Sequence, residues 1–395
     1  MRHLRVPKRE TQSVFEALMR TGALTPRARV LHDGEFTLIP VHDEAPSELG
    51  EEFSQFEEVE AEQPEAQPHR WIERLPEWLS DDIIASNEGS WPNAHEVLGD
   101  LLVFKVEREV EQYHQEIALA KLTHLSGARL ALRDHGVEGG FRIRKLEPLA
   151  ARVGGDVLDQ NQIGSLDEET AALALSTRTI VREHMRSIRI DPSKAYYSAR
   201  LQAQRWRTVE SAEVLRELLG RPLSVADPYC GVGPAIVHLV KRRGLVGELL
   251  ASDINPDAVD LLFDNLHRWG APNIPKENAP LSEVSPGWRV GIADALTLGD
   301  DEDLVNSFDM LLVNLPHDTM EHLPNLLPLL RNGSPTLVRG WVVASTADLP
   351  ELNSRLVDLL HPILEGHPIP VLEKRRQYNS TEWLCCFEAW LNLSK

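Results

Sequence analysis

Four polar side chains in the second half of the chain each stand where an apolar run stops: Asp227 in "VADPYCGVGP", Asp253 in "ASDINP", Asp294 in "GIADAL" and Asn314 in "VNLPH". Carboxylates and an amide at successive strand ends can accept hydrogen bonds from a polar ligand laid across those ends. Asp227 is followed by Gly231 and Gly233, whose bare backbone lets a ligand approach closely. A dinucleotide site adds a third glycine so that helix and strand close around a pyrophosphate; Ile236 holds that place here. Its bulk disfavours a pyrophosphate. A nucleoside cofactor without phosphate, S-adenosylmethionine, fits better. Asp253 would accept from both ribose hydroxyls in a charge-assisted bidentate contact, and Asp294, or the backbone at Ala295 beside it, would meet the adenine. The plainer reading is that Asp253 and Asp294 only cap helices.

The elements that must hold these residues alternate from Leu223 onward. "LSVAD", "GELLASD", "WRVGIAD", "FDMLLVN" and "TLVRGWVVA" read as strands, and "AIVHLVKRRG" as a helix. "DAVDLLFDNLHRWG" is a helix with Asn255 as N-cap and Pro256 at its first position, and "DLPELNSRLVDLL" starts on an Asp348–Glu351 capping box. "PVLEKRRQY" and "EWLCCFEAWL" alternate as a terminal antiparallel pair. Strand–helix alternation implies a mostly parallel sheet covered on both faces, so the fold class is α/β.

Upstream, "ETQSVFEALMRTGAL" and "EFTLIPV" read as a helix and a strand of a small α+β module over residues 1–50. "EEFSQFEEVEAEQPEAQPHR" (51–70) reads as a solvated acidic linker. A middle α+β block (71–195) contains "EVLGDLLVFKVE" as a strand and "REVEQYHQEIALAKLTHLSG" as a helix. "STRTIVREHMRSIRIDPS" has arginines at helical spacing but β-branched runs on either side of a polar middle, and a hairpin is preferred. Residues 196–395 complete the chain.

With 395 residues and a net charge of −20, the chain is unsuited to nonspecific wrapping of nucleic acid, and no DNA partner is expected. Basic residues nonetheless gather in "RHLRVPKR", in "FRIRK" and from Arg178 to Arg207, so an acidic total can hide a basic groove. Only three cysteines occur, Cys230, Cys385 and Cys386, with no spacing that suggests zinc. No stretch reaches the length of a membrane span, and the basic start lacks the apolar core of a secretory signal. A reduced, cytoplasmic protein without a metal is expected.

"DPYCGVGP", "SDINPDAVDLL" and "VNLPHDTMEHL" resemble the motifs of the archaeal and eukaryotic tRNA (guanine-37-N1)-methyltransferases. The resemblance extends through "EVLGDLLVFKV", "GGFRIRKLEPLA" and "DPSKAYYSARL" to the N-terminal "VPKRE" and "FTLIPV". It implies a small N-terminal domain that reads tRNA shape, a middle α+β domain and a C-terminal Rossmann-like class I methyltransferase domain, acting on tRNA; a monomer is expected. Residue by residue, it places cofactor contacts on Arg205, Asp253, Ile254, Asp294 and Asn314. It places the target guanine against Arg142 and Tyr196, and against Asn314 with Pro316; Arg200 is a further candidate for substrate binding. An arginine can donate to guanine O6 as N1 loses its proton, and an aromatic can stack on a flipped base. A surface ion pair and a core aromatic are the plain alternatives for Arg142 and Tyr196. One position departs: the glutamate that serves the family as general base falls on Gln204, which has no titratable group. His317 is a candidate substitute, set against the plainer reading of a strand-end surface residue. The departure keeps two other readings open, a wybutosine-pathway aminocarboxypropyl transferase and a diverged tRNA-binding protein. Asp253 and "NLP" side with the methyltransferases.

Overall fold

Two compact units, Met1–Arg74 and Leu75–Lys395, make up the chain in the computed structural model, which describes residues 1–25, 28–42, 45, 50–62, 70–271, 274 and 279–393. In the first unit, Val14, Ala17 and Leu18 line one face of the helix Thr11–Thr21, which stops where Gly22 takes the left-handed conformation. They share a core with Leu4, Val6 and Ile39 of the strands Arg2–Pro7 and Phe36–Pro40, and with Val41 just beyond the second. The acidic stretch is not all linker. Glu57–Glu60 forms a strand paired antiparallel with Arg2–Pro7. Glutamate is a poor strand former, but here Glu58 meets Arg2 at 3.0 Å and Glu57 meets Arg5 at 3.6 Å across the ladder. Phe53 is buried in the same core. The remainder of that stretch, 63–69, lies outside the described residues.

The second unit begins with the short helix Asp81–Ser86 and then a five-stranded sheet built from Glu96–Leu98, Leu101–Phe104, Leu130–Glu138, Ile143–Val153 and Asp156–Asp159. "EVLGDLLVFKVE" is therefore two strands rather than one. Gly99, at φ +59°, makes the turn, and a Cβ there would collide with Thr179 and Ile180. The expected helix after it begins as a 3₁₀ turn, Arg108–Tyr113, and becomes α-helical at His114–His124. The arginine-rich segment is the hairpin Thr179–Glu183 and Arg186–Ile190. Its arginines are only partly a solvated face, since Arg178 and Arg189 both bond Asp264 at 2.6 Å.

An eight-stranded sheet follows, with Trp288–Ile292, Val246–Asp253, Leu223–Asp227, Met310–Val313 and Pro335–Ser345 side by side and parallel. Glu373–Gln377 and Glu382–Asn392 add the antiparallel pair at one edge. Consecutive residues of the central strands serve opposite cores. Val225, Leu249, Met310 and Leu337 pack into one cluster, and Ala226, Leu250, Leu311 and Val338 into the other. Continuous apolar strands of this kind need helices on both faces. Asn255 caps Pro256–Arg268 by accepting from Asp257 N. The capping box expected at Asp348 is not formed. Asp348 has a helical backbone rather than the extended one a capping side chain needs, and its carboxylate takes the Ser345 hydroxyl at 2.7 Å.

Among the described residues no helix is long and apolar enough to cross a membrane, and no group of His, Cys, Asp and Glu is arranged to hold a metal ion.

Candidate active site

Parallel strands deliver Asp227, Asp253 and Asn314 to the same end of the sheet. Asp253 joins two loops there. One carboxylate oxygen accepts from Gly231 N and the other from Asn255 N, both at 2.9 Å. Burial pushes its pKa up, against these backbone hydrogen bonds. Each oxygen keeps a lone pair, so the side chain can still receive ribose hydroxyls. Ile254 beside it is exposed. Asp294 caps the 3₁₀ turn Ala295–Asp300 through Leu296 N at 3.0 Å, while Ala295 is buried in the core. Gly231 and Gly233 differ in what they face. Both have positive φ, but a Cβ on Gly233 would strike Leu262, whereas one on Gly231 would find its nearest neighbour, Tyr196 O, at 4.0 Å. Gly233 thus serves helix packing, and Gly231 the open side.

A small cavity of about 50 Å³ lies below these strand ends, lined by Gln204, Arg205, Asp227, Asn314, Arg339 and Phe387 among others. Two polar atoms in its wall, Asp227 Oδ1 and Gln204 Oε1, are buried with no hydrogen-bond partner. Burial, with a minor contribution from Asp253, raises the Asp227 pKa to about 7 against a bond from Tyr229 N. An orphaned buried acceptor is costly unless a ligand donor reaches it. The ammonium of an amino-acid cofactor is such a donor, so these residues fit S-adenosylmethionine. Asp253, Ile254 and Asp294 lie outside the cavity lining.

Arg205 has a second task. Its Nε donates to Glu183 Oε2 at 2.9 Å, its Nη2 donates to Glu183 Oε1, and it also bonds Ser198 O at 2.9 Å. Tyr197 and His238 complete the cluster around the same carboxylate. Burial opposes ionisation of Glu183, but bonds from His238 and Arg205, the Arg205 charge and Tyr197 together hold its pKa below the usual range. Arg205 therefore fixes the start of the helix Gln202–Leu219 to the hairpin, with most of its fork already engaged. A larger groove of about 880 Å³, lined by Asp100, Arg178, Arg182 and Gln202, lies along that hairpin and touches none of the four polar strand ends.

On the rim, the structure brings Arg142 to the Asn-Leu-Pro loop. Arg142 sits at φ +53° in the turn before Ile143–Val153 and donates through Nη2 to the Tyr378 hydroxyl. His317 Nε2 lies 3.1 Å from that hydroxyl. Pro316 O accepts from Val343 N at 2.7 Å, which fastens the loop to the neighbouring strand. Tyr196 is 48% exposed beside the glycine turn. Arg200, at the foot of the helix, is exposed and makes no side-chain bond among the described residues. Tyr378 was not singled out from the sequence. Its only signal there is an aromatic at the end of "PVLEKRRQY".

Sheet order, glycine turn and strand-end acids define the class I methyltransferase fold. Residues 4–49 match the tRNA methyltransferase 5 N-terminal domain, and residues 75–155 the TYW2 N-terminal domain. The chain is 26% identical over 335 residues to the tRNA (guanine(37)-N(1))-methyltransferase Trm5b of Pyrococcus abyssi, covering 84% of this chain and 81% of that one. It is 25% identical over 271 residues to Trm5b of Methanocaldococcus jannaschii, 67% of this chain and 69% of the relative. The solved complex of aTrm5 and tRNALeu shares the fold, with a TM-score of 0.64 and 19% identity over 99% of each chain. The chain is thus similar to archaeal Trm5 proteins over most of its length and to TYW2 over residues 75–155.

Proposed function

We propose that this protein transfers a methyl group from S-adenosylmethionine to N1 of guanine 37 of tRNA. The observation that carries the reading is the meeting of Arg142 with His317, directly after Asn314–Pro316, through Tyr378, together with a cavity walled by Asn314 and two orphaned acceptors. Bound S-adenosylmethionine supplies an electrophilic methyl carbon. The protein's own groups do the rest. Asp227 receives the cofactor's ammonium, and Asp253 receives its ribose. Asn314, exposed on the rim and also part of the cavity wall, reaches both ligands. Arg142 donates to guanine O6, where charge collects as N1–H breaks. Tyr196 offers a stacking face to a base taken out of its strand, and Arg200 a free guanidinium to the adjoining phosphate.

The N-terminal match and the names of the relatives support tRNA as substrate, while the TYW2 match over 75–155 supports the aminocarboxypropyl alternative. The aspartate at 253 and the Asn-Leu-Pro sequence favour methyl transfer. Labelled-methyl transfer to matched transcripts with guanine or adenine at position 37 tests the reading. Incorporation into the guanine transcript alone is expected; equal incorporation into both overturns the target.

A further inference from the structure

Methylation at guanine N1 breaks an N1–H bond, so the reaction proposed above needs a proton acceptor at the strand-end face. The side chains lining the cavity supply poor ones. Gln204 has nothing to titrate, and Arg205 and Arg339 carry fixed charge. Burial pushes the Cys230 thiol well up. Asp227 is 3% exposed beneath the glycine turn, on the cofactor's side.

His317 differs. It is exposed on the rim, directly after Pro316. Its ring meets Tyr378 edge-on, with centroids 5.3 Å apart and Nε2 at 3.1 Å from the hydroxyl. The hydroxyl oxygen already accepts from Arg142 and has a second lone pair. With Nε2–H donating to that lone pair, Nδ1 keeps its own pair open, and Nδ1 has no hydrogen-bond partner among the described residues.

Resting on that reading of the reaction, we infer that His317 takes the N1 proton of the target guanine through Nδ1, and that Tyr378 is the positioning residue that fixes its tautomer and ring plane. As N1–H breaks, the proton goes to Nδ1 and the nitrogen pair forms the new bond to the methyl carbon. The electron pair of the breaking S–C bond stays on sulfur, and the imidazolium later gives its proton to water. The groups that face His317 are Arg142, Tyr378, Asp318 and Glu382. Desolvation, then the Arg142 charge, set its pKa below 6.5, against the two carboxylates. The ring is therefore neutral, and able to accept, at pH 7.

Single-turnover methylation of unmodified tRNA by the full-length protein from pH 5.5 to 9, read as N1-methylguanosine by mass spectrometry, tests the inference. The wild-type rate is expected to rise through a pKa below 6.5 and then level off. His317→Ala should lose roughly 10²–10⁴-fold at pH 7 and climb steadily with pH, as guanine ionises unaided. Tyr378→Phe should keep the substrate affinity and lose part of the rate, with a shifted inflection. Calorimetric cofactor affinity should be unchanged in His317→Ala, which shows that the fold is kept. A His317→Ala rate and plateau equal to wild type overturn the inference. No N1-methylguanosine from wild type at any pH overturns the reading beneath it, and the inference with it.

Discussion

Asp227 and Asp253 end neighbouring strands and are both largely buried, yet they do different work. Asp253 is satisfied by two backbone donors, so replacing it removes loop geometry together with the ribose contacts proposed for it. Asp253→Ala should weaken S-adenosylmethionine by about 1.5–3 kcal/mol, tenfold or more by calorimetry. Unchanged affinity would remove it from the site. Asp227 is raised from 3.8 to about 7. Between those values the native state holds a proton that the unfolded chain has lost, so the cofactor-free protein loses stability as pH rises through the window. Asp227→Asn should abolish that decline, gaining roughly 2–4 kcal/mol relative to wild type at pH 8 but little at pH 4. Urea unfolding at the two pH values checks this, and a pH-independent difference contradicts it. The same substitution should weaken the cofactor, because an amide cannot pair with its ammonium.

At the scale of elements, Glu183 ties the hairpin to two helices through Arg205 and His238. Glu183→Gln leaves the Arg205 charge buried without its partner, which should cost about 3–5 kcal/mol by denaturant unfolding. A loss under 1 kcal/mol would mean that water reaches the cluster. This cluster was not legible in the sequence, where Arg205 reads as a cofactor donor and Glu183 as one turn acid among many. Its members meet only because the hairpin folds against the helix. Strands such as Met310–Val313 were legible because a run buried on both faces must be apolar throughout. Glu57–Glu60 was not, because its pairing rests on arginines at the far end of the first unit. Tyr378 and Arg142 stand 236 residues apart, and no local periodicity marks such a pair. The strand-end acids were visible one by one; that Asp227 lacks a partner needed coordinates.

For the whole molecule, a net charge of −20 and a tRNA substrate are compatible only if basic side chains are segregated. The first unit has its own core, and so does the second. A chain starting at Leu75 should keep cofactor affinity, lose tRNA affinity and show a shallower salt dependence, because fewer phosphate contacts release counterions. Filter binding across a salt series checks this; an unchanged slope and affinity would mean the first unit takes no part. The most direct test of the central claim is the chemical identity of the product. Unmodified tRNA with guanine 37, incubated with the protein and S-adenosylmethionine, should yield N1-methylguanosine at that position by nucleoside mass spectrometry and fragment mapping. An aminocarboxypropyl adduct, or guanosine left unmodified, would contradict it.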